Sequence, residues 1–336
     1  MITSTPLARW TWGDEVAGDD WVTASAEAAG AALSVLAGHR LVVGEVLIRV
    51  SVSEAGNPES ILYQHVFSVN SATLDAEMPR FVSAISEGVA PGRVGNVSVD
   101  ATCPGMVLGD GAEHREERLF LLGVSVAIDF LSIRLATFSD AWMPFDLRGR
   151  EQRFAHEANS PRLAAALKGI SDIVGDEVEP DDPTWFGSPN ETGVANHFDP
   201  DGSASDVWAT FEVPYRNRVF HHRSQFGHDG YRRSTDGAVH FVPVGDGRGV
   251  LGYLWASDEG AAASYEPRDS SGEAGYRAGL SWVELLRQAE ERGILPSEAL
   301  TELVRVPGDE LMGHALTDKL VPIAGLASLR EMASRE

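Results

Sequence analysis

The sequence predicts an α+β fold of mainly antiparallel sheets with flanking helices, divided into two domains. Several runs alternate apolar and polar residues, which is the period of a half-buried strand, and other segments repeat apolar residues at helical spacing. Strands and helices do not follow one another in the βαβα order of a doubly wound sheet. A chain of 336 residues, 43% of them hydrophobic, is also too long for one ordinary core.

The clearest alternation lies in the first half of the chain. Ile48, Val50 and Val52 fall on one face of a predicted strand at 42–53, and a turn leads into a second strand at 61–70. These two strands are expected to form an antiparallel hairpin. The remaining predictions for this half are strands at 93–102, 118–129 and 132–139, a polar loop at 109–117, and helices at 22–37 and 71–88.

The strongest helical pattern spans residues 159–175. Asn159 or Ser160 is expected to cap this helix, because their side chains accept bonds from free backbone N–H groups at a helix start. Pro161 would occupy the first helical position, where its missing N–H costs nothing. An apolar stripe follows, and Gly175 is predicted to end the helix.

An acidic, Pro- and Gly-rich run at 176–193 predicts a linker, so the domain boundary is placed between residues 185 and 186. The domains are then 1–185 and 186–336, each α+β. The elements predicted for the second domain are a strand at 206–222, a hairpin of 238–246 and 248–257, and helices at 271–293, 296–306 and near 323–333.

The composition is strongly acidic, with 50 Asp and Glu against 27 Lys and Arg and a formal net charge of −23. Such a surface repels phosphate backbones and anionic lipids, so we expect no nucleic-acid and no membrane partner. It attracts a basic protein partner instead. Acidity also promotes solubility without any partner, and that interpretation stays open.

The single cysteine, Cys103, excludes a disulfide framework and a four-cysteine zinc site. The first twenty residues lack a basic stretch followed by an apolar run, and no run reaches the roughly 18 apolar residues of a membrane span. We therefore expect a cytoplasmic protein. The glycine-rich run 245–252 lacks the lysine and the helix of a phosphate loop, and we expect no cofactor and no metal.

Residues 216–233 form a basic island with five arginines, three histidines and one acid. Three interpretations stay open: a catalytic or phosphate-binding site, a metal site, and an internal network with the chain's own acids. Arg216 and Arg218, two apart on a predicted strand, would share one face and bind an anion. The residues that would carry catalysis are His221, His222, His228 and Asp229.

Four other segments carry polar chemistry. Residues 197–206 hold spaced aspartates of the kind found in calcium loops, but a solvated turn is the better interpretation. His114 lies between acids, as a general acid–base histidine would. The loop before the helix at 159–175 is dense in polar and aromatic residues, and Cys103 has no partner histidine close in sequence.

The composition and the lack of a catalytic motif favour a protein-binding module. In general character the chain is similar to immunity proteins, which implies a neutraliser of a basic toxin or effector; no motif carries this resemblance. The expected contact residues are acids with tryptophan anchors: Asp14, Glu15, Asp19, Asp20, Glu177, Glu179, Asp181 and Asp182, with Trp10, Trp12 and Trp185. The alternatives are a hydrolase or phosphate-handling enzyme built on the basic island, and a structural subunit. The oligomeric state stays open.

Overall fold

The fold is described from a computed structural model, which covers residues 1–334 apart from 17, 19, 110, 220–229 and 310, and apart from the side chains of 217–219. The described residues form mostly antiparallel sheets with flanking helices, which confirms the α+β class. They divide into two compact units, Met1–Trp208 and Ala209–Glu336. Residues 186–208, assigned to the second domain from sequence, belong to the first unit.

The first unit is built on a seven-stranded sheet with the order β3-β2-β4-β5-β6-β1-β7, in which all neighbours are antiparallel. A short hairpin, β8–β9, follows it in the chain. The strands are β1 Ala8–Glu15, β2 Glu45–Glu54, β3 Asn57–Asn70, β4 Val94–Gly109, β5 Ala112–Ala127, β6 Phe130–Thr137, β7 Glu179–Pro180, β8 Ser188–Asn190 and β9 Gly193–Ala195. The predicted loop at 109–117 is therefore wrong over most of its length, because residues 112–117 form the start of β5 and pair with the end of β4.

Three helices pack on one face of this sheet: α1 Trp21–Gly38, α2 Leu74–Gly88 and α3 Arg153–Val174. Alternation in β2 follows the prediction, since Ile48, Val50 and Val52 are buried while Leu47 and Arg49 are exposed. Burial of one β-branched residue every second position holds the strand in register, because a slip of one residue would expose the whole row. The other face of the sheet carries polar side chains together with exposed apolar ones such as Leu47.

β1 is a strand that the sequence analysis missed. Its buried residues are Ala8, Trp10 and Trp12, and all three are fully inaccessible. The indole N–H of Trp10 donates to the carbonyl oxygen of Asn190 (2.9 Å), and that of Trp12 donates to the hydroxyl oxygen of Ser171 (2.9 Å). Both tryptophans thus belong to the core and satisfy their single polar atom there.

α3 begins six residues earlier than predicted, so Asn159 lies inside it and is not its cap. The Asn159 amide is completely buried and joins the helix to the end of β4: it accepts from the N–H of Leu108 (3.0 Å) and donates to the carbonyl oxygen of Leu108 (2.7 Å). Pro161 is an interior residue of the helix. The predicted end is confirmed, because Gly175 adopts the left-handed conformation with φ of 80°.

The second unit contains a five-stranded antiparallel sheet with helices on both faces. Its strands are β10 Val239–Gly245, β11 Val250–Ser257, β12 Ala262–Pro267, β13 His314–Ala315 and β14 Val321–Ile323. Its helices are α4 Val213–Val219, α5 Gly272–Glu291, α6 Pro296–Leu303 and α7 Leu326–Ala333. The predicted hairpin and the three C-terminal helices are confirmed. Trp282 on α5 packs against one face of the sheet, and Leu329 on α7 packs against the other.

The strand predicted at 206–222 is wrong over the described residues. A π-helical turn, Trp208–Glu212, leads directly into α4. Trp208, Glu212 and Val213 are buried, which is helical spacing, whereas a strand would bury every second residue. None of the helices among the described residues is both long and apolar enough to cross a membrane.

β5 and β6 are joined by a two-residue turn, Ile128–Asp129, and both residues have positive φ, 52° and 63°. This is the backbone of a type I′ turn, which favours Asn-Gly because L-residues with a Cβ are strained there. Isoleucine is β-branched and its side chain is 88% exposed, so packing does not compensate the strain. The sequence therefore keeps an unfavourable turn at this end of the sheet.

We expect the double variant Ile128→Asn/Asp129→Gly to raise the free energy of unfolding by about 1–2 kcal/mol, because both residues then suit the left-handed region. Urea denaturation measures the change. The control Ile128→Ala keeps the Cβ and should stay within about 0.5 kcal/mol of the natural chain. A double variant no more stable than this control would show that the turn is not strained.

Candidate functional site

The basic island is only partly within the described residues. His221, His222, His228 and Asp229, proposed for catalysis, lie outside them, and so does the side chain of Arg218. Their role stays a prediction. The expectation that Arg216 and Arg218 lie on a strand is wrong, because the backbone of both residues belongs to the helix α4.

Arg216 is held within its own unit. Its Nε donates to Oε1 of Glu212 at 2.7 Å, one helical turn earlier, and its guanidinium lies 5.6 Å from the centre of the Tyr276 ring. The Glu212 carboxylate is fully buried and the Arg216 side chain is 18% exposed. A buried carboxylate requires such a partner, so the geometry accounts for Arg216 as the counter-ion of Glu212.

The acidic residues predicted for binding come from two distant segments, and the sheet brings these together. β7 pairs with β1, so that Glu179 lies opposite Thr11 and Pro180 opposite Trp10. The Thr11 hydroxyl donates to Oδ1 of Asp181 at 3.2 Å. We call the resulting row of carboxylates the acidic edge; its members are Asp14, Glu15, Asp176, Glu177, Glu179, Asp181 and Asp182.

Three members of the acidic edge in particular are fully available to a partner. Glu177, Glu179 and Asp182 are exposed and form no side-chain hydrogen bond or ion pair within the described part of the chain. Two exposed arginines, Arg9 and Arg134, lie on β1 and β6 beside it. Carboxylates therefore outnumber cations here, but the edge is not a uniform negative surface.

Two other acids predicted for binding, Asp19 and Asp20, are not members of the acidic edge. Asp20 caps α1, because its Oδ1 accepts from the N–H of Thr23 at 3.1 Å. Asp19 lies outside the described residues. Asp176 belongs to the edge but was not predicted, although it stands in the same acidic run; its Oδ2 accepts from the N–H of Gly13 (3.3 Å) and so ties this run to β1.

The proposed tryptophan anchors divide into two kinds. Trp10 and Trp12 are wrong as anchors, because both rings are completely buried under the helices. Trp185 is 69% exposed, and it follows β7 in the chain. An exposed tryptophan beside acidic residues has the character of an interface hot spot.

An acidic groove of about 820 Å³ lies between the C-terminal half of α3 and the segments 175–178 and 191–192. Its charged lining residues are Lys168, Asp172, Asp176, Glu177 and Glu191. Lys168 pairs with Asp172 at 2.6 Å, so three carboxylates remain in excess of the cation. Glu191 was not predicted; it sits alone in a turn, where the sequence offers no signal.

The remaining polar candidates are structural. Asp201 accepts two bonds from Ser203, which lower the pKa of its carboxyl group, and Asp199 accepts from Ser205 at 2.7 Å. Such local hydrogen bonds are typical of a solvated turn. Among the described residues, no group of three or more His, Cys, Asp and Glu side chains is placed to hold a metal ion.

The loop before α3 binds its own backbone. Asp146 accepts from the N–H groups of Arg148 and Arg150, both at 2.9 Å, and pairs with the Arg150 guanidinium at 2.7 Å. Gln152 donates to the carbonyl oxygens of Asp140 and Met143. The polar variety of this loop is thus largely used to hold its own conformation.

No protein-family model, no curated protein and no solved structure matches this chain.

Removing Arg216 tests its structural role. We expect Arg216→Ala to lower the free energy of unfolding by about 3 kcal/mol, because the buried Glu212 carboxylate loses the guanidinium that pairs with it at 2.7 Å. Arg277→Ala is the matched control: it removes an Arg–Glu pair of the same helical spacing whose arginine is 60% and whose glutamate is 22% exposed, and it should cost less than about 1 kcal/mol because solvent reaches both charges. Equal costs in chemical denaturation would contradict the counter-ion role.

The reactivity of the Cys103 thiol can be tested directly. It is completely buried, and burial raises the pKa of its thiol to about 12, so almost no thiolate forms at neutral pH. We expect no reaction with iodoacetamide at pH 8 in the native protein and full reaction in urea. Rapid labelling of the native protein, measured by mass spectrometry, would identify a reactive thiol instead.

Proposed function

We propose that the protein is an acidic protein-binding module that takes a basic partner along the acidic edge. The observation that carries the proposal is the pairing of β1 with β7, which gathers carboxylates from two chain segments on one edge of the sheet. Glu177, Glu179 and Asp182 have no counter-ion within the described residues. A basic surface would provide one, and complementary charge speeds encounter and selects the partner.

The acidic groove and Trp185 add a shaped cavity and an apolar surface to the charge of the acidic edge. Carboxylates on an open surface attract any cation weakly, because water and salt screen them. A groove of about 820 Å³ with an excess of three carboxylates admits a protruding basic side chain, and an exposed tryptophan adds apolar area. The partner that fits best is a protein with a basic surface and at least one projecting Arg or Lys.

The form of this module that we favour is a cytoplasmic, immunity-type neutraliser of a basic toxin or effector. Support comes from the net charge of −23 and from the single cysteine. The enzyme alternative loses support at Arg216, because that side chain pairs with Glu212 inside its own unit.

The first experiment is affinity purification from the native host at low and then raised salt, followed by mass spectrometry. We expect one basic protein, retained in stoichiometric amount and released by salt. Retention of an acidic protein, or of none, would contradict the proposal.

The second experiment locates the surface with matched charge variants. We expect Glu177→Gln/Glu179→Gln/Asp182→Asn to raise the Kd of the purified partner at least about tenfold, since three uncompensated carboxylates are lost. The control triple, Glu45→Gln/Glu59→Gln/Glu87→Gln, changes the net charge equally at exposed sites elsewhere and should change the Kd less than about threefold. Equal losses in titration calorimetry would place the interface away from the acidic edge.

A further inference from the structure

A second cavity, of about 900 Å³, opens at the end of the sheet in the first unit. The turn between β2 and β3, the start of β4 and the turn between β5 and β6 form its walls, and the first residue of α1 closes one side. The lining residues that matter here are Trp21, Ser53, Glu54, Arg93, Asn96 and Asp129. We call this cavity the turn pocket.

Irregular backbone shapes the turn pocket. β2 bulges at Ser53 and Glu54 against both of its neighbours, and such bulges redirect side chains. Gly95 lies so close to the bulge that a Cβ in its place would be 2.5 Å from Cα of Ala55. The N–H of Ala55 donates to the carbonyl oxygen of Arg93 at 2.8 Å, which fixes Arg93 beside the bulge.

The charges of the turn pocket are not paired. Glu54, Arg93 and Asp129 form no ion pair within 4.0 Å, either with one another or with any other described residue. Opposite charges in one cavity normally attract each other into contact. These three charges line one cavity and stay unpaired within the described residues, so each one can take a ligand group of opposite charge.

The strained turn supplies one of these charges. Ile128 and Asp129 both have positive φ and both line the pocket. Strained backbone that persists without local compensation commonly marks a binding site. An Asn-Gly turn would relieve the strain but would remove the Asp129 carboxylate from the rim.

We propose that the turn pocket binds a free basic amino acid of the lysine or arginine class. Arg93 takes the ligand carboxylate, and Glu54 and Asp129 take the two cationic groups. The Trp21 ring lines the wall for the aliphatic part of the ligand. The count of charges matches, since one cation and two carboxylates in the pocket face one carboxylate and two cations in the ligand.

Four ligands test this assignment, because each analogue of lysine lacks one charge. Lysinamide lacks the carboxylate, Nα-acetyl-lysine lacks the α-ammonium group and norleucine lacks the side-chain ammonium group. We expect lysine to bind best in titration calorimetry and each analogue to bind at least about tenfold more weakly. Lysinamide is the most informative analogue. Its charge of +2 would make it the best ligand if the negative charge of the protein alone attracted these molecules.

Two variants test whether the ligand binds in the turn pocket. Arg93→Gln should abolish the preference for lysine over lysinamide, and Glu54→Gln should weaken lysine binding at least about tenfold. Arg49→Gln and Glu45→Gln are the controls, since both residues are exposed on β2 outside the pocket and should leave binding unchanged. Native-like thermal unfolding of each variant separates lost binding from lost folding.

The proposal is overturned if lysinamide binds as tightly as lysine, if the pocket variants behave as the controls do, or if neither lysine nor arginine binds below about 10 mM. The turn pocket shares no residue with the acidic edge. The triple variant of the edge should therefore keep its amino-acid binding, which separates this test from that of the proposed protein partner.

Discussion

The first unit depends on the insertion of β1 between β6 and β7. Eight residue pairs join β1 to β6, and among the described strands β1 is the one neighbour of β7 in this sheet. The energy for this pairing comes from Trp10 and Trp12, whose burial under α3 and its neighbours removes large apolar areas from water. The acidic edge exists because this burial fixes the strand that lies beside it.

Local patterns predicted much of the fold. The β10–β11 hairpin and the helices α5 and α6 were found because their signals lie within a few neighbouring residues. β1 has the same period of two as β2, but tryptophans beside acidic residues also predict surface anchors, and the sequence alone does not decide between a buried strand and an exposed segment. The strand predicted at 206–222 is wrong for the opposite reason, because its apolar residues fit both periods. The observed burial of Trp208, Glu212 and Val213 has helical spacing.

The candidate site was less predictable, because it depends on contacts between residues far apart in the chain. The sequence identified Glu179 and Asp14 as acids suited to binding but gave no means of placing them on one edge. That requires the antiparallel register of Thr11 with Glu179, which is set by tertiary packing. The turn pocket illustrates the same limit, since Glu54, Arg93 and Asp129 are ordinary surface charges until a bulge and a turn bring them to one cavity.

Charge alone does not make either surface specific. A net charge of −23 attracts every cation, and the attraction falls with salt wherever it arises. Specificity needs charges at fixed positions that are not satisfied by the protein itself. The edge offers this at Glu177 and Glu179, and the turn pocket offers it with both signs at once, at Arg93 and Glu54. We therefore expect a ligand of single sign to suffice at the edge and only a ligand carrying both signs to suffice at the pocket, so that the two proposed surfaces would select different molecules.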